Sequence, residues 1–125
     1  METTQGNRMI AEFIGLKPRT MDGNRFYWSD SPFYHVALDT EEQVMQAISE
    51  HAKYHESWDW LMPVVETIEG ILNSKLNPFE VSIHSKACQI YSIGIIKTFG
   101  SDGSTKIEAV WLAVLKFIEW YNEKP

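Results

Sequence analysis

Residues 79–97 read FEVSIHSKACQIYSIGIIK, and this stretch decides the fold class. From Phe79 to His84, apolar and polar residues alternate with the two-residue period of a strand that has one buried face. Ser85-Lys86 is a short link to a second strand, predicted from Ala87 to about Lys97, in which Gly94 indicates a bulge or a bend. The sequence therefore predicts a pair of neighbouring strands.

These strands follow a helix that begins in the segment SWDWLMP, residues 57–63. From Leu61 to Leu72 the apolar residues recur with the period of an α-helix. We expect Asp59 to cap this helix, because a carboxylate there accepts from free amides and faces the positive end of the helix dipole. Trp58 would then pack just before the cap, and Pro63 would lie in the first turns, where a proline costs least.

A second amphipathic helix follows the strands. Residues 100–104, GSDGS, form a predicted loop, and Thr105-x-x-Glu108 has the spacing of a capping box. From Ile107 to Tyr121, apolar residues cover more of the helix circumference than one sheet face can bury. Exposed apolar patches often mark contact surfaces, and Trp and Tyr dominate the binding energy of many interfaces. We therefore predict an interaction surface at Phe117, Trp120 and Tyr121, unless the N-terminal helix covers it within the monomer.

The N-terminal part predicts a short helix and an aromatic hairpin. Asn7 is expected to cap the helix, and Gly15 is placed where a left-handed residue ends one. The aromatic runs at residues 26–28 (FYW) and 33–36 (FYHV) indicate the two strands of the hairpin. The predicted fold class is α+β, a single domain over residues 1–125 with four helices around a small, mainly antiparallel sheet of about three to four strands.

A pair of histidines gives the best metal candidates. The segment TEEQ at residues 40–43 has the form of a capping box, and the helix after it is expected to carry both His51 and His55 on its apolar face. The i, i+4 spacing would put both imidazoles on one face, with a nearby acid as a further ligand. The helical metalloprotease signatures, however, need a glutamate directly beside one of the histidines, and neither required position carries one. We expect two structural histidines, no bound metal and no other cofactor.

Aromatic residues near this pair raise the possibility of a ligand surface. Tyr54 and Trp58 are the candidates for such a surface, because aromatic faces bind many ligands. The i, i+2 spacing of Trp58 and Trp60 points their side chains apart, which argues against a shared platform.

Composition and charge exclude several classes of function. The chain has a net charge of −6, and its 11 basic residues are scattered singly, whereas nucleic-acid binding requires a clustered cationic face. The single Cys88 excludes an internal disulfide, as is typical of a reducing compartment, and its apolar surroundings predict a buried, unreactive thiol. There is no hydrophobic signal segment and no apolar run of the ~18 residues that a membrane span needs. We expect a cytoplasmic protein with neither nucleic acid nor membrane as a partner.

Three segments carry a resemblance to known proteins: NRMIAEFIGL (7–16), SWDWLMPVVETIE (57–69) and STKIEAVWLAVLKFIEWYN (104–122). Their order around the two pairs of strands resembles that of small uncharacterised proteins from Bacteroidetes genomes and their prophages. The layout is also similar to that of phage-encoded proteins with an α/β/α-sandwich domain. This resemblance implies a fold and a mobile-element origin, and it carries over no catalytic residue.

Two hypotheses of function follow. The first is a non-enzymatic accessory protein of a phage or mobile element, which binds an unknown protein partner or associates with itself. The alternative is a small metal-assisted hydrolase that uses His51, His55 and an acid. The sequence favours the first, because no catalytic constellation is complete: there is neither a nucleophile elbow nor a phosphate-binding loop.

Overall fold

The structure is a computed structural model that describes residues 2–16, 19–21, 25–30 and 34–123, with the strands between residues 19 and 37 described by their backbone. Contacts group the chain into two compact units, Met1–Ala52 and Lys53–Pro125. Within the described residues, each unit combines two helices with a three-stranded antiparallel sheet. The predicted α+β class is confirmed, with two small sheets where we expected one. That all 125 residues form a single domain stays a prediction.

The first unit is a three-stranded meander with one helix before it and one helix after it in the chain. Its elements are α1 (Thr3–Phe13), β1 (Arg19–Met21), β2 (Arg25–Asp30), β3 (Tyr34–Leu38) and α2 (Glu41–His51). The central strand β2 pairs antiparallel with β1 and with β3, which confirms the hairpin predicted from the two aromatic runs. Phe33, which begins the second run, lies outside the described residues. α1 packs against α2, and the Arg8 guanidinium donates to both carboxylate oxygens of Glu42, at 2.6 and 2.9 Å.

The start of α1 differs from the prediction, whereas its end agrees. The helix begins at Thr3, and Asn7 is a buried residue inside it, whose Nδ2 donates to the carbonyl oxygen of Ala52 at 3.0 Å. Asn7 therefore links the helix to the end of α2 rather than capping it. Gly15 has φ +85°, and the amides of Gly15 and Leu16 donate to carbonyls of the last turn, as in a Schellman motif.

α2 begins as predicted but ends early. Thr40 and Gln43 form a reciprocal capping box, which confirms the predicted start of this helix. The helix stops at His51, and Ala52 has an extended conformation at its C-terminus. His55 therefore lies beyond the helix, and the prediction that both histidines share one helical face is wrong.

The second unit packs two helices on a three-stranded meander. Its elements are α3 (Trp58–Glu69), β4 (Phe79–His84), β5 (Ala87–Ser92), β6 (Phe99–Asp102) and α4 (Lys106–Glu123). β5 is central, with Ile90 opposite both Val81 and Phe99. One face of this sheet packs on α4: the rings of Phe79 and Phe99 lie 4.9 and 5.5 Å from the ring of Phe117.

α3 begins two residues earlier than expected. Trp58 is its first residue, so Asp59 lies in the first turn and is not the cap. Ser57 occupies the cap position, but its side chain makes no capping hydrogen bond. Pro63 is consequently deeper in the helix than predicted, and the hydroxyl of Thr67 donates to its carbonyl oxygen at 2.9 Å.

The sheet of the second unit contains a strand that the sequence did not reveal. β5 ends at Ser92 rather than near Lys97, and the predicted bend occurs at Gly94, which has φ +92°. Residues 99–102, partly assigned to a loop, form β6 instead. A short Gly- and Ser-containing segment has little strand propensity of its own, and pairing with β5 decides its conformation.

α4 agrees closely with its prediction. The amide of Glu108 donates to Thr105 Oγ1 at 3.2 Å, and the Glu108 carboxylate accepts from the amide of Ser104. Its apolar residues fill the core of the second unit, with Val110, Val114 and Ile118 fully buried. α4 is 18 residues long, yet neither it nor any other helix in the described residues combines the length and apolar character needed to cross a bilayer.

Candidate functional site

Two loops of the second unit present large apolar side chains to solvent. They are the α3–β4 loop, residues 70–78, and the β5–β6 loop, residues 93–98. The exposed fractions are 51% for Leu72, 75% for Leu76, 70% for Ile93 and 101% for Ile96. We call these four side chains, together with Lys75 and Lys97, the loop surface. Single exposed apolar residues are ordinary, whereas four on two adjoining loops indicate a contact site.

Asn73 joins the two loops. Its Nδ2 donates to Ser92 Oγ at 2.9 Å and to the carbonyl oxygen of Ile93 at 2.7 Å. Its Oδ1 accepts from the backbone amides of Lys75 and Asn77, at 2.7 and 3.2 Å. Only 4% of Asn73 is exposed, and its four hydrogen bonds hold both loops in one arrangement.

Further contacts reinforce this junction. Asn77 Nδ2 donates to the same Ile93 oxygen at 2.9 Å, and Ser92 Oγ donates to the carbonyl oxygen of Pro78 at 2.6 Å. A Cβ atom on Gly94 would lie 3.0 Å from Cδ of Lys75, so the aliphatic part of Lys75 crosses closely over the second loop. The loop surface is thus presented by a hydrogen-bonded framework.

Leu76 is held in an unfavourable backbone conformation. Its φ of 64° lies in the left-handed region, which leucine rarely adopts because its Cβ approaches the carbonyl oxygen. The amide of Leu76 donates to the carbonyl oxygen of Asn73 at 2.9 Å, which fixes this turn. The side chain recovers little by burial, since most of it is exposed. Both the backbone and the solvent therefore disfavour leucine at this position.

The charge around the loop surface differs from that of the rest of the chain. Residues 71–101 carry three lysines and one acid, Glu80, whereas the remaining residues carry eight basic and sixteen acidic side chains. Neither Lys75 nor Lys97 forms an ion pair with another described residue. The Nζ of Lys97 lies 5.7 Å from the ring centre of Phe99. The loop surface is therefore a cationic, apolar area on an acidic protein.

A groove of about 350 Å³ lies beside this surface, between β6 and α4. Its lining combines Lys97 and Lys116 with Glu119, Glu123 and the aromatic ring of Trp120. The Lys116 ammonium donates to the carbonyl oxygen of Gly100 at 2.6 Å. With two cations and two carboxylates, the groove has no net preference for an ion of either sign.

The residues predicted as an interaction surface on α4 lie in different surroundings. Phe117 is fully buried among Phe79, Phe99 and Trp120, so it is a core residue. Trp120 is half-buried and lines the groove, and Tyr121 is 39% exposed with its ring stacked 5.9 Å from that of Phe117. That Trp120 and Tyr121 contact a partner stays a prediction.

The predicted ligand surface is divided between core and solvent. Tyr54 is buried, and its ring meets that of Trp60 edge-on at 5.2 Å. Trp58, by contrast, is 37% exposed at the start of α3. Only Trp58 of this pair could touch a ligand without rearrangement of the core.

The histidines show no metal-binding geometry. His51 ends α2, whereas His55 lies in the following turn, where its Nε2 is 3.6 Å from Glu56 and its ring packs edge-on against Trp111. Among the described residues, no three His, Cys, Asp or Glu side chains are grouped so that they could hold a metal ion. The hydrolase hypothesis thereby loses the shared helical face on which it was based.

Cys88 lies on the buried face of β5, as its sequence surroundings predicted. Burial raises the pKa of its thiol to about 11, so the nucleophilic thiolate is scarce at neutral pH. This thiol is suited to packing rather than to catalysis.

The sequence held only faint signals of the loop surface. The helical pattern of α3 includes Leu72, and the predicted second strand includes Ile93 and Ile96; both patterns normally predict burial. The useful signals were Gly94 inside the apparent strand and the Asn-Ser-Lys-Leu-Asn segment at residues 73–77, which is typical of a turn.

Comparison of the chain with protein-family models, with curated proteins and with solved structures finds no match in any of the three. The resemblance to Bacteroidetes and prophage proteins therefore stays a prediction. The arguments for a function come from the geometry of the chain itself.

Proposed function

We propose that this protein is a non-enzymatic binding protein that acts through contact with another protein at the loop surface. One observation carries the proposal: Leu76 is both strained, with φ 64°, and 75% exposed. Residues kept in costly conformations concentrate at functional sites, where the strain is compensated by function. Transfer of an apolar side chain out of water lowers the free energy of the system. A bound partner would provide that burial.

The framework around Leu76 supports this proposal. The buried Asn73 fixes both loops before any partner arrives, so little conformational entropy is lost on binding. A pre-organised surface of this kind favours specific binding of one complementary partner over non-specific binding of many proteins. The loop surface therefore resembles the rigid apolar anchors of specific protein interfaces.

The sequence resemblance extends the proposal to a biological setting. It supports an accessory role in a phage or other mobile element, and the single cysteine supports a cytoplasmic location. The partner would then be a protein of the same element or of its host.

Site-specific photo-crosslinking tests the proposal. A photoreactive amino acid replaces Ile96 in cells of the source organism, because this side chain is fully exposed and its replacement disturbs no packing. We expect a discrete protein adduct that disappears when Leu76→Ser is added. The control places the same amino acid at Met62, an exposed apolar position on α3. Identical adducts from both positions, or no protein adduct from position 96, would contradict the proposal.

A further inference from the structure

We propose that the partner presents an apolar segment accompanied by carboxylates, which Lys75 and Lys97 recognise beside the exposed leucines and isoleucines. This inference rests on the proposed function and names the chemistry of its partner. It follows from the charge and the arrangement of the loop surface, each of which restricts what can bind.

The charge of the loop surface selects an acidic partner. Between residues 81 and 101 there is no acidic residue, and the α3–β4 loop has none from residue 70 to residue 78. Lys75 and Lys97 are thus cations without a carboxylate in their own loops. On a protein of net charge −6, a basic partner would be drawn elsewhere on the surface, whereas carboxylates are attracted here.

The two lysines differ in their surroundings. Lys97 lines the groove that also contains Glu119 and Glu123, and its ammonium lies near the ring of Phe99. Lys75 has no acidic neighbour in its loop, and its stem packs over Gly94 between the exposed apolar side chains. A carboxylate of the partner therefore gains more from Lys75, because the field of Lys97 is partly offset by the two glutamates.

The same features disfavour a lipid bilayer as the occupant. Segments that bind anionic lipids by charge carry clusters of about four to eight Lys or Arg residues, and the loop surface has two cations. Its apolar side chains are presented by loops that Asn73 holds in one conformation. A fixed arrangement of four apolar anchors and two charges fits a protein segment of defined shape.

An NMR titration of the full chain tests this chemistry. The probes are two synthetic amphipathic peptides with the same leucines, one carrying glutamates and the other carrying lysines on the polar face. We expect the glutamate peptide to shift amide resonances of residues 71–77 and 93–97. It should bind about tenfold more tightly than the lysine peptide, and the preference should shrink as salt is raised from about 50 mM to about 500 mM.

Four variants make the result specific. Lys75→Glu should weaken binding of the glutamate peptide about three- to tenfold, and Lys97→Glu should weaken it less. Lys86→Glu is the matched control, because Lys86 lies in the turn between β4 and β5, at the other end of these strands, and should leave binding unchanged. Leu76→Ser with Ile96→Ser should abolish binding of both peptides.

Three outcomes of the titration would overturn the inference. They are equal binding of the two peptides, an equal effect of Lys86→Glu and Lys75→Glu, and stronger shifts of the same loops by phosphatidylserine vesicles than by the glutamate peptide. A crosslinked protein whose contact segment carries no carboxylates would also reject it, while leaving the proposed function standing. The absence of any protein adduct from position 96 would instead reject the proposed function itself.

Discussion

The side-chain amide of Asn73 donates to the backbone oxygen of Ile93 across 2.7 Å, and so joins two loops whose contacting residues are 20 positions apart. The junction fixes the backbone of both loops next to the exposed Leu76 and Ile93. Asn73 is suited to it because one amide side chain offers two donors and an acceptor for both backbones.

Replacing Asn73 by alanine should destabilise the second unit and loosen both loops. The amides of Lys75 and Asn77 would lose their acceptor, and the Ile93 oxygen would lose a donor. We expect a loss of about 1–3 kcal/mol in the free energy of unfolding, measured by urea denaturation. Hydrogen exchange should accelerate at residues 71–77 and 93–97. Asn77→Ala, which removes one side-chain bond to Ile93, should cost less; an equal cost would show that Asn73 has no special role.

Replacing Leu76 by asparagine should make the protein more stable. Asparagine tolerates the left-handed conformation, so the substitution relieves backbone strain of about 1 kcal/mol. Little buried apolar area is lost, because most of the Leu76 side chain is exposed. Thermal and urea unfolding would measure the gain. Leu72→Asn is the control, since Leu72 does not have a positive φ and should gain nothing. A loss of stability in Leu76→Asn would mean that the exposed leucine contributes to folding, against our interpretation.

Gly103 should not tolerate a side chain. A Cβ atom there would lie 2.6 Å from the amide nitrogen of Ala109 and 3.0 Å from the carbonyl carbon of Glu108, at the start of α4. Gly103→Ala should lower the free energy of unfolding by about 1–3 kcal/mol, because the helix start must move. At Gly100 the nearest atoms would be 3.7 Å away, so Gly100→Ala should change stability by less than about 0.5 kcal/mol. Similar effects at both glycines would refute the steric explanation.

The contribution of Cys88 to stability should depend on pH only in alkaline solution. Burial raises its pKa from the ordinary value of 9.0 to about 11, so the folded state retains a proton that the unfolded state has lost. Its contribution is complete below pH 9.0 and declines as the pH rises to about 11. The stability difference between the wild type and Cys88→Ala should therefore shrink over this range. Iodoacetamide should modify the folded protein at pH 7 far more slowly than the unfolded protein; equal rates would show an accessible thiol.

Helical periodicity and local capping predicted the parts of the fold whose conformation is decided within a few residues. Thr40 and Gln43 form the expected capping box, and the apolar pattern of α4 corresponds to a buried helix. The errors arose where distant contacts decide. Asn7 has the side chain of a good cap, yet it lies inside α1 because its amide reaches Ala52. β6 exists because β5 pairs with it, and no residue between Phe99 and Asp102 except the phenylalanine favours a strand.

The loop surface was beyond prediction for a related reason. Hydrophobic patterns predict burial, and those that contain Leu72 and Ile93 predict that both side chains face a core. Their exposure follows because α3 ends at Glu69 and β5 at Ser92, before either residue, and Asn73 joins the two loops that carry them. A sequence records the residue types in such a junction but not which of them meet.

The hydrogen bond from the Lys116 ammonium to the Gly100 carbonyl oxygen also affects whether β6, an edge strand, can pair with a strand of another molecule. The amide of Gly103 donates to the carbonyl oxygen of Lys86, so these two residues form a hydrogen-bonded pair. Hydrogen-bonded and non-hydrogen-bonded pairs alternate along an antiparallel ladder, and Gly100 opposite Gln89 therefore belongs to a non-hydrogen-bonded pair. The backbone N–H and C=O of Gly100 consequently point away from β5. An outward carbonyl of this kind invites a strand from another molecule, which is how sheets polymerise. The Lys116 ammonium already occupies that acceptor at 2.6 Å. Lys116 therefore competes with an incoming strand for one of the outward backbone groups of β6, which disfavours strand addition at this point.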